Sequence, residues 1–285
     1  MKIDGRTKVC ALLGDPVEHT LSPLIHNTFS EIEGVDSVYT AFRLKKGNVK
    51  EALDGAFALG IQGFNVTVPH KEAVLPYLSG IDPMAEKIGA VNTLVRSENG
   101  YRGYNTDASG IMREIKELSV DLDGRKVIML GAGGAANAVL HALYSLGISG
   151  AYILNRSAEK AKEKFGEDRR NTILSMDQYG EIEGDGYFCV QCTSVGLHPD
   201  TDRAPIEDPE FYKKIGTAVD IIYNPGETRF MKLIRENGGR VENGLKMLLY
   251  QAAESFKLFH GVNLSDAGIE AAAEKLKAFL EGKSL

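Results

Sequence analysis

Two groups of residues have the types and spacing to do chemistry. In "KVIMLGAGGAANAV", Gly131 and Gly133 take the first two positions of a GxGxxG/A pattern and Ala136 takes the third. The first glycine allows a tight strand-to-helix turn, the second lets backbone approach a pyrophosphate, and the small third residue permits close helix packing. The helix that follows offers its free amides to anionic oxygens. Gly131, Ala132, Gly133, Gly134, Ala135 and Ala136 are therefore a candidate dinucleotide loop. In "GFNVTVPHKEAV", Asn65 and Thr67 project from one strand face while Phe64, Val66 and Val68 project from the other, and Lys71 follows Pro69. Asn92 and Thr93 interrupt the apolar run "AVNTLV", and Asp107 stands in "GYNTDASG". Asp107 is either a helix N-terminal acid or half of a pair. Lys71 and Asp107 are too far apart in sequence for a local helix pair, so they meet only if the fold brings them together.

The elements that must position these residues are legible as alternating signals. "KVCALLGD" and "VYTAFRL" read as strands, residues 23–33 and 49–59 as helices, "GFNVTV" as a strand, "EAVLPYL" as a helix, and "VNTLVR" as a strand leading to a turn at Glu98-Asn99-Gly100. Repeated βα units predict a mostly parallel sheet with active residues at strand ends. A helix over 107–118 precedes "VDLDGRK", whose polar residues and glycine mark a junction. A second βαβ unit follows: "KVIML", the glycine loop with its helix, and "AYILNRS". "YFCVQCT" and "TAVDIIY" read as later strands, and residues 227–236 as a helix. The tail reads as two helices, the first lining an apolar face with Leu245, Leu248, Leu249, Ala252, Ala253 and Phe256.

Composition narrows the function classes. The 285 residues are 43% hydrophobic and 25% charged, which fits a soluble globular protein of one large or two medium domains, and the alternating βα signals make its class α/β. A formal net charge of -6 without a basic stripe argues against nucleic acid as a partner. No apolar run reaches the roughly 18 residues that span a bilayer, and no signal-peptide pattern opens the chain; the expectation is a cytoplasmic protein with no membrane partner. Cys10, Cys189 and Cys192 form no disulfide framework. The last two share CxxC spacing inside a strand-like run, without a second Cys or His pair, so no metal site is expected.

At the end of the second nucleotide-unit strand stand Asn155, Arg156 and Ser157, with Lys160 nearby. An NAD-preferring site places an acid there, against the ribose hydroxyls. A guanidinium, a hydroxyl and an ammonium instead suit the 2′-phosphate of NADP, which Arg takes bidentately; the alternative is a solvated basic helix start. Near the first strand, Thr20 and Ser22 in "HTLSPLIHN" either cap a helix begun by Pro23 or hold a carboxylate or polyol.

The ordered set "HTLSPLIHN", "NVTVPHKEAV", "GAVNT", "GYNTDASG", "GAGGAANA", "NRS", "CTSVG", "DIIYNPGET" and "NGLKMLLYQAAESF" resembles shikimate dehydrogenase and the related quinate/shikimate dehydrogenases over almost the whole chain. The resemblance implies reversible NADPH-dependent reduction of 3-dehydroshikimate to shikimate, a step of aromatic amino acid biosynthesis, in a cytoplasmic monomer or homodimer. It implies two α/β domains: residues 1–107, completed by 245–285, binding substrate, and 108–244, Rossmann-like, binding NADP. Thr20, Ser22 and Tyr223 match residues that hold the substrate carboxylate. Asn65, Thr67, Lys71, Asn92, Asp107 and Gln251 match those around the ring hydroxyls and the reacting centre. Gly131 to Ala136 match the pyrophosphate loop, Asn155, Arg156, Ser157 and Lys160 the adenosine-phosphate clamp, and Thr193, Gly244 and Met247 positions near the nucleotide or nicotinamide.

Hydride arriving at a ketone carbon creates an alkoxide, which needs a nearby cation or acid. Lys71 fits as proton donor in reduction and base in oxidation, with Asp107 orienting it; the alternative is that Lys71 supplies charge while protons travel by water. Thr20 stands where most shikimate-specific members carry serine, Gln191 where asparagine is frequent, and Ala252 where glycine is frequent. These departures keep open a quinate/shikimate dehydrogenase with broader substrate or NAD use. An NADP-binding regulatory protein would need the glycine loop but neither Lys71 nor Asp107.

Overall fold

Apolar residues on both faces of β1 (Lys8–Gly14) make it an interior strand of a sheet covered on both faces. Ala11 and Leu13 join Phe64, Val66, Leu94 and Tyr101 on one side, while Cys10 and Leu12 join Tyr39 and Phe259 on the other. The computed structural model describes residues 3–282 and divides the chain into two units, Met1–Gly110 with Leu248–Leu285, and Ile111–Met247.

The first unit contains α1 (Ser22–Glu33), β2 (Ser37–Arg43), α2 (Val49–Ala58), β3 (Gly63–Val66), β4 (Gly80–Ile81), α3 (Pro83–Ile88), β5 (Thr93–Ser97) and β6 (Gly100–Tyr104). Its sheet has the order β2-β1-β3-β5-β6-β4. β1 pairs parallel with β2 and β3, whereas β5 runs antiparallel to both β3 and β6. The Glu98-Asn99-Gly100 turn closes this antiparallel hairpin, with Gly100 at φ 135°, where a side chain is disfavoured.

Two local expectations are corrected. β3 ends at Val66 instead of running to Val68: Thr67 N still donates to Leu13 O at 2.9 Å, but Pro69 has no N–H to extend the ladder. "EAVLPYL" forms turns and one 3-10 turn over Leu75–Tyr77, because Pro76 interrupts any α-helix there.

The second unit is more regular. It holds β7 (Lys126–Leu130), α5 (Ala136–Ser145), β8 (Gly150–Asn155), α6 (Ala158–Phe165), β9 (Asn171–Ser175), β10 (Tyr187–Gln191), α7 (Pro209–Tyr212), β11 (Ile215–Asp220), α8 (Arg229–Glu236) and β12 (Arg240–Asn243). The strands pair in the order β12-β11-β10-β7-β8-β9, every neighbour parallel. The order of strand addition reverses between β7 and β10, which makes their C-terminal ends the crevice where such sheets take ligands. Ile128, Leu130, Leu154, Cys189, Phe211, Tyr212, Phe230 and Ile234 form its core. The chain leaves the first unit within α4 (Thr106–Glu117) and re-enters it within α9 (Leu245–His260), before α10 (Asp266–Leu280).

Glu114, on α4 within the second unit, is fully buried, and neither carboxylate oxygen has a hydrogen bond of good geometry among the described residues, the Met247 amide being near but poorly placed. Burial pushes its pKa up from 4.5 to about 8; the Met247 amide and Lys246 pull it partly back, while Glu242 and Glu117 push it further up. Between these values the folded state holds a proton that the unfolded chain has released. The contribution of Glu114 to stability therefore falls as pH rises from about 4.5 and levels off above about 8. Glu114→Gln should flatten this fall, gaining on the parent by on the order of a few kcal/mol between pH 5 and 9. Urea unfolding across that range checks it; parallel curves for the two proteins would contradict a neutral buried carboxyl.

Candidate active site

Lys71 and Asp107 meet. Lys71 Nζ lies 2.5 Å from Asp107 Oδ2, with the side chains 19% and 12% exposed, reachable yet largely shielded from water. Each partner is fixed by the elements around it. Val91 N donates to Lys71 O at 3.0 Å, tying the segment after Pro69 to the one carrying Asn92. Asp107 sits in the first turn of α4, where the helix dipole favours a carboxylate. Its second oxygen, Oδ1, accepts from Asn92 Nδ2 at 2.8 Å. Asn92 Oδ1 accepts from Thr106 N at 2.7 Å, so one carboxamide clamps the start of α4 and aims Asp107 at Lys71.

Gln251 on α9 joins this cluster: its Oε1 lies 3.5 Å from both Asn92 Nδ2 and Thr106 Oγ1, and its Nε2 donates to Leu248 O at 2.9 Å. Thr67 is half-buried at the end of β3, packed over Gly14, where an added Cβ would come within 2.4 Å of the threonine methyl. Asn65 is connected through a second layer. Its Oδ1 accepts from Tyr39 OH at 2.8 Å, and its Nδ2 donates to Ser255 Oγ at 2.8 Å and Thr93 Oγ1 at 3.1 Å. Ser255 also lies 2.9 Å from Thr93 Oγ1 and 3.0 Å from Thr106 Oγ1. Thr20 Oγ1 donates to Ser22 Oγ at 3.2 Å and accepts from Ser22 N at 3.3 Å at the start of α1, where the N-cap residue, Leu21, supplies no side-chain cap.

Sequence reading missed Thr106, Ser255 and Tyr39 as members of this network. Ser255 carried a usable signal, since it follows Gln251 by four residues and so shares its helix face. Tyr39 carried none: it is one apolar position among several in β2, and only the fold aims its hydroxyl at Asn65.

The nucleotide candidates gather in the second unit. Gly131 has φ 99°, a left-handed conformation, and an added Cβ would lie 2.9 Å from the Thr193 methyl and 3.1 Å from the backbone of Cys192 and Thr193. Thr193 is held by buried Gln191, whose carboxamide oxygen accepts from Thr193 N and whose Nε2 donates to Val195 O at 3.3 Å. At Gly244 a Cβ would overlap Ile221 O at 2.2 Å, so the chain entering α9 runs against the loop after β11. Met247 follows in the first turn. At the end of β8, Asn155 Nδ2 donates to Ser157 O at 2.8 Å, Ser157 caps α6, and Arg156 and Lys160 are exposed.

Tyr223 belongs to this unit too, on the loop after β11. Asp220 pins that loop by accepting from Ile222 N at 3.0 Å and Thr228 Oγ1 at 2.6 Å, while burial pushes its carboxyl up to about 6. The residues fit NADP: two cradles that a Cβ would fill, a helix α5 without a side-chain N-cap, and Arg156 and Lys160 just past β8, which ends on Asn155 instead of an acid, although Glu159 accepts from Ser157 Oγ at 3.1 Å. Cys189 and Cys192 are buried free thiols. No helix among the described residues is long and apolar enough to cross a membrane.

A model described as the shikimate dehydrogenase substrate binding domain matches residues 12–94, and one described as the shikimate 5'-dehydrogenase C-terminal domain matches residues 244–274. The shikimate dehydrogenase (NADP(+)) of Caldanaerobacter subterraneus subsp. tengcongensis is 44% identical over 92% of this chain and 94% of its own. A chorismate mutase/shikimate 5-dehydrogenase fusion protein from Clostridium acetobutylicum superposes with a TM-score of 0.90 at 34% identity, covering 96% of this chain and 99% of that one. Shikimate 5-dehydrogenase from Thermus thermophilus, solved with NADP(H) and shikimate, gives a TM-score of 0.82 at 34% identity over 94% and 99%. The chain belongs to the shikimate dehydrogenase family, and is an NADP-dependent oxidoreductase built from two α/β domains, one of them Rossmann-like.

Proposed function

We propose that Lys71 and Asp107 handle the proton in the reversible NADPH-dependent reduction of 3-dehydroshikimate to shikimate. The observation that carries this is the 2.5 Å ammonium–carboxylate contact, held from behind by Asn92. NADPH, when bound, supplies the hydride. In reduction the Lys71 ammonium stabilises the oxyanion formed at the substrate carbonyl and gives it a proton; in oxidation the amine takes the hydroxyl proton back. Asp107 fixes the direction of Nζ and accepts from a neighbouring substrate hydroxyl. Asn92, Gln251 and Thr67 face the remaining ring hydroxyls. Asn65, already engaged by Tyr39, Ser255 and Thr93, orders the shell behind them.

In the same reading Thr20, Ser22 and Tyr223 take the carboxylate. The loop 131–136 takes the pyrophosphate, Asn155, Arg156, Ser157 and Lys160 take the adenosine 2′-phosphate, and Thr193, Gly244 and Met247 line the nicotinamide end. The unit with β1 binds substrate and the unit with β7 binds NADP. The reading includes a cytoplasmic monomer or homodimer that acts on a small molecule and not on nucleic acid, supported by a net charge of -6.

A panel crossing shikimate and quinate with NADP and NAD tests the assignment. Shikimate with NADP is expected to exceed shikimate with NAD in kcat/KM by about tenfold or more, the scale set by charged contacts to the 2′-phosphate, and to exceed quinate with either cofactor. Dominant turnover of quinate with NAD would overturn it in favour of the broader quinate/shikimate type, for which the extra methyl of Thr20 is the observation to pursue.

A further inference from the structure

Lys164 lies in the last turn of α6, where a basic side chain ordinarily does no more than complement the helix dipole. Here it does something more specific: its ammonium crosses to the glycine loop after β7 and donates to Gly133 O at 3.0 Å and toward Ala132 O at 3.4 Å. These carbonyls belong to the peptide groups whose N–H ends are Gly133 and Gly134. Both peptides are trans, and in a planar trans peptide the C=O and N–H point in opposite directions. A cation on the carbonyl side therefore leaves the two amides facing the other way and polarises them outward.

The Gly133 carbonyl also accepts from Ala136 N at 3.2 Å, which links the same peptide to the first turn of α5. Neither glycine is crowded on its side-chain side: a Cβ on Gly134 would meet nothing within 4 Å, and one on Gly133 would meet only Cys192 O, at 3.9 Å. Lys164 also follows Lys160 by four residues, so α6 presents two cations one turn apart on one face. Lys160 stands near the capped helix start beside Arg156 and Ser157, and Lys164 lies behind the glycine loop.

We propose that Lys164 is a cofactor-positioning residue, which locks the glycine loop with the Gly133 and Gly134 amides turned to the pyrophosphate and places a positive charge behind them. The inference rests on the reading of this loop as the NADP site. Calorimetric titration of NADPH into the parent and into Lys164→Met, Lys164→Gln and Lys164→Arg, at low and high salt, tests both separately. Lys164→Met and Lys164→Gln should weaken NADPH binding about five- to tenfold at low salt, with a smaller penalty at high salt, while Lys164→Arg stays within about twofold of the parent. The KM for shikimate and kcat at saturating NADP should not move.

Equal NADPH affinity in all four proteins overturns the role of Lys164. So does a Lys164→Arg protein as weak as Lys164→Met, or a penalty that salt does not change, because either marks a packing role without charge. If Lys164→Met fails to fold, Lys164→Gln, which can still donate to a carbonyl, decides the matter. A parent protein that binds no NADPH would instead overturn the reading of the loop itself.

Discussion

Lys71→Met should lower kcat for shikimate oxidation by about a thousandfold, within the range ascribed to a positioned acid–base group, and should leave NADPH affinity unchanged. The split follows from the chain: Lys71 belongs to the first unit, whereas every residue assigned to the nucleotide belongs to the second. The competing account, a structural ion pair, makes a different prediction. Breaking a largely buried pair leaves a carboxylate without its cation, at a cost of about 3–5 kcal/mol, so a purely structural Lys71 would lower the melting temperature with turnover intact in the surviving folded enzyme. Comparing kcat per folded protein with the melting temperature separates the two.

Gly131→Ala should abolish useful NADP binding, raising Kd by more than about tenfold. Two strains add. An alanine at φ 99° sits outside the ordinary L-residue regions, costing about 1–3 kcal/mol. Its methyl would also press on Thr193 and the backbone of Cys192, groups on a neighbouring strand end that cannot swing aside like the tip of a long side chain. The tight turn between β7 and α5 must then open, and the loop amides lose their common direction. Gly134→Ala is the control for stability, because its Cβ enters open space; it should melt with the parent. Calorimetry with NADPH and thermal melting of both variants check the pair of outcomes, and a Gly131→Ala protein that binds NADPH normally would contradict the assigned geometry.

How much of this was legible depended on the range of the interaction. The start of the second unit, with β10, β11 and α8, followed from its sequence pattern because a parallel βαβ unit is locally encoded: a covered strand, the glycine turn and an amphipathic helix lie within one contiguous segment; β9, β12 and α7, of five, four and four residues, were too short to read. The first unit was harder. β4 has two residues, and β6, "GYRGY", is polar and glycine-rich, so neither carried an apolar alternation to read. "EAVLPYL" had helical periodicity but also Pro76, and the missing N–H outweighed the pattern.

In the site, Lys71 and Asp107 could be nominated separately from their strand-end and helix-start positions. Their contact was implied only by the family resemblance and not by the local pattern, because it depends on Asn92 reaching both Thr106 and Asp107 across a sheet that runs partly antiparallel. The buried hub of Ser255, Thr93 and Asn65 is equally non-local, joining β3, β5 and α9. Gln191, a departure from the family's frequent asparagine, proves to make the bond to Thr193 N that holds the turn beside Gly131.

The central claim is that Lys71 and Asp107 act as one unit, and a double-mutant cycle on kcat tests it most directly. Lys71→Met, Asp107→Asn and the combined variant would be assayed with shikimate and saturating NADP. Each single change should be strongly impaired, and the combined variant should lie within about threefold of Lys71→Met alone, because removing the second member of a unit costs little once the first is gone. Losses that multiply across the two positions, or wild-type turnover in Lys71→Met, would contradict the account.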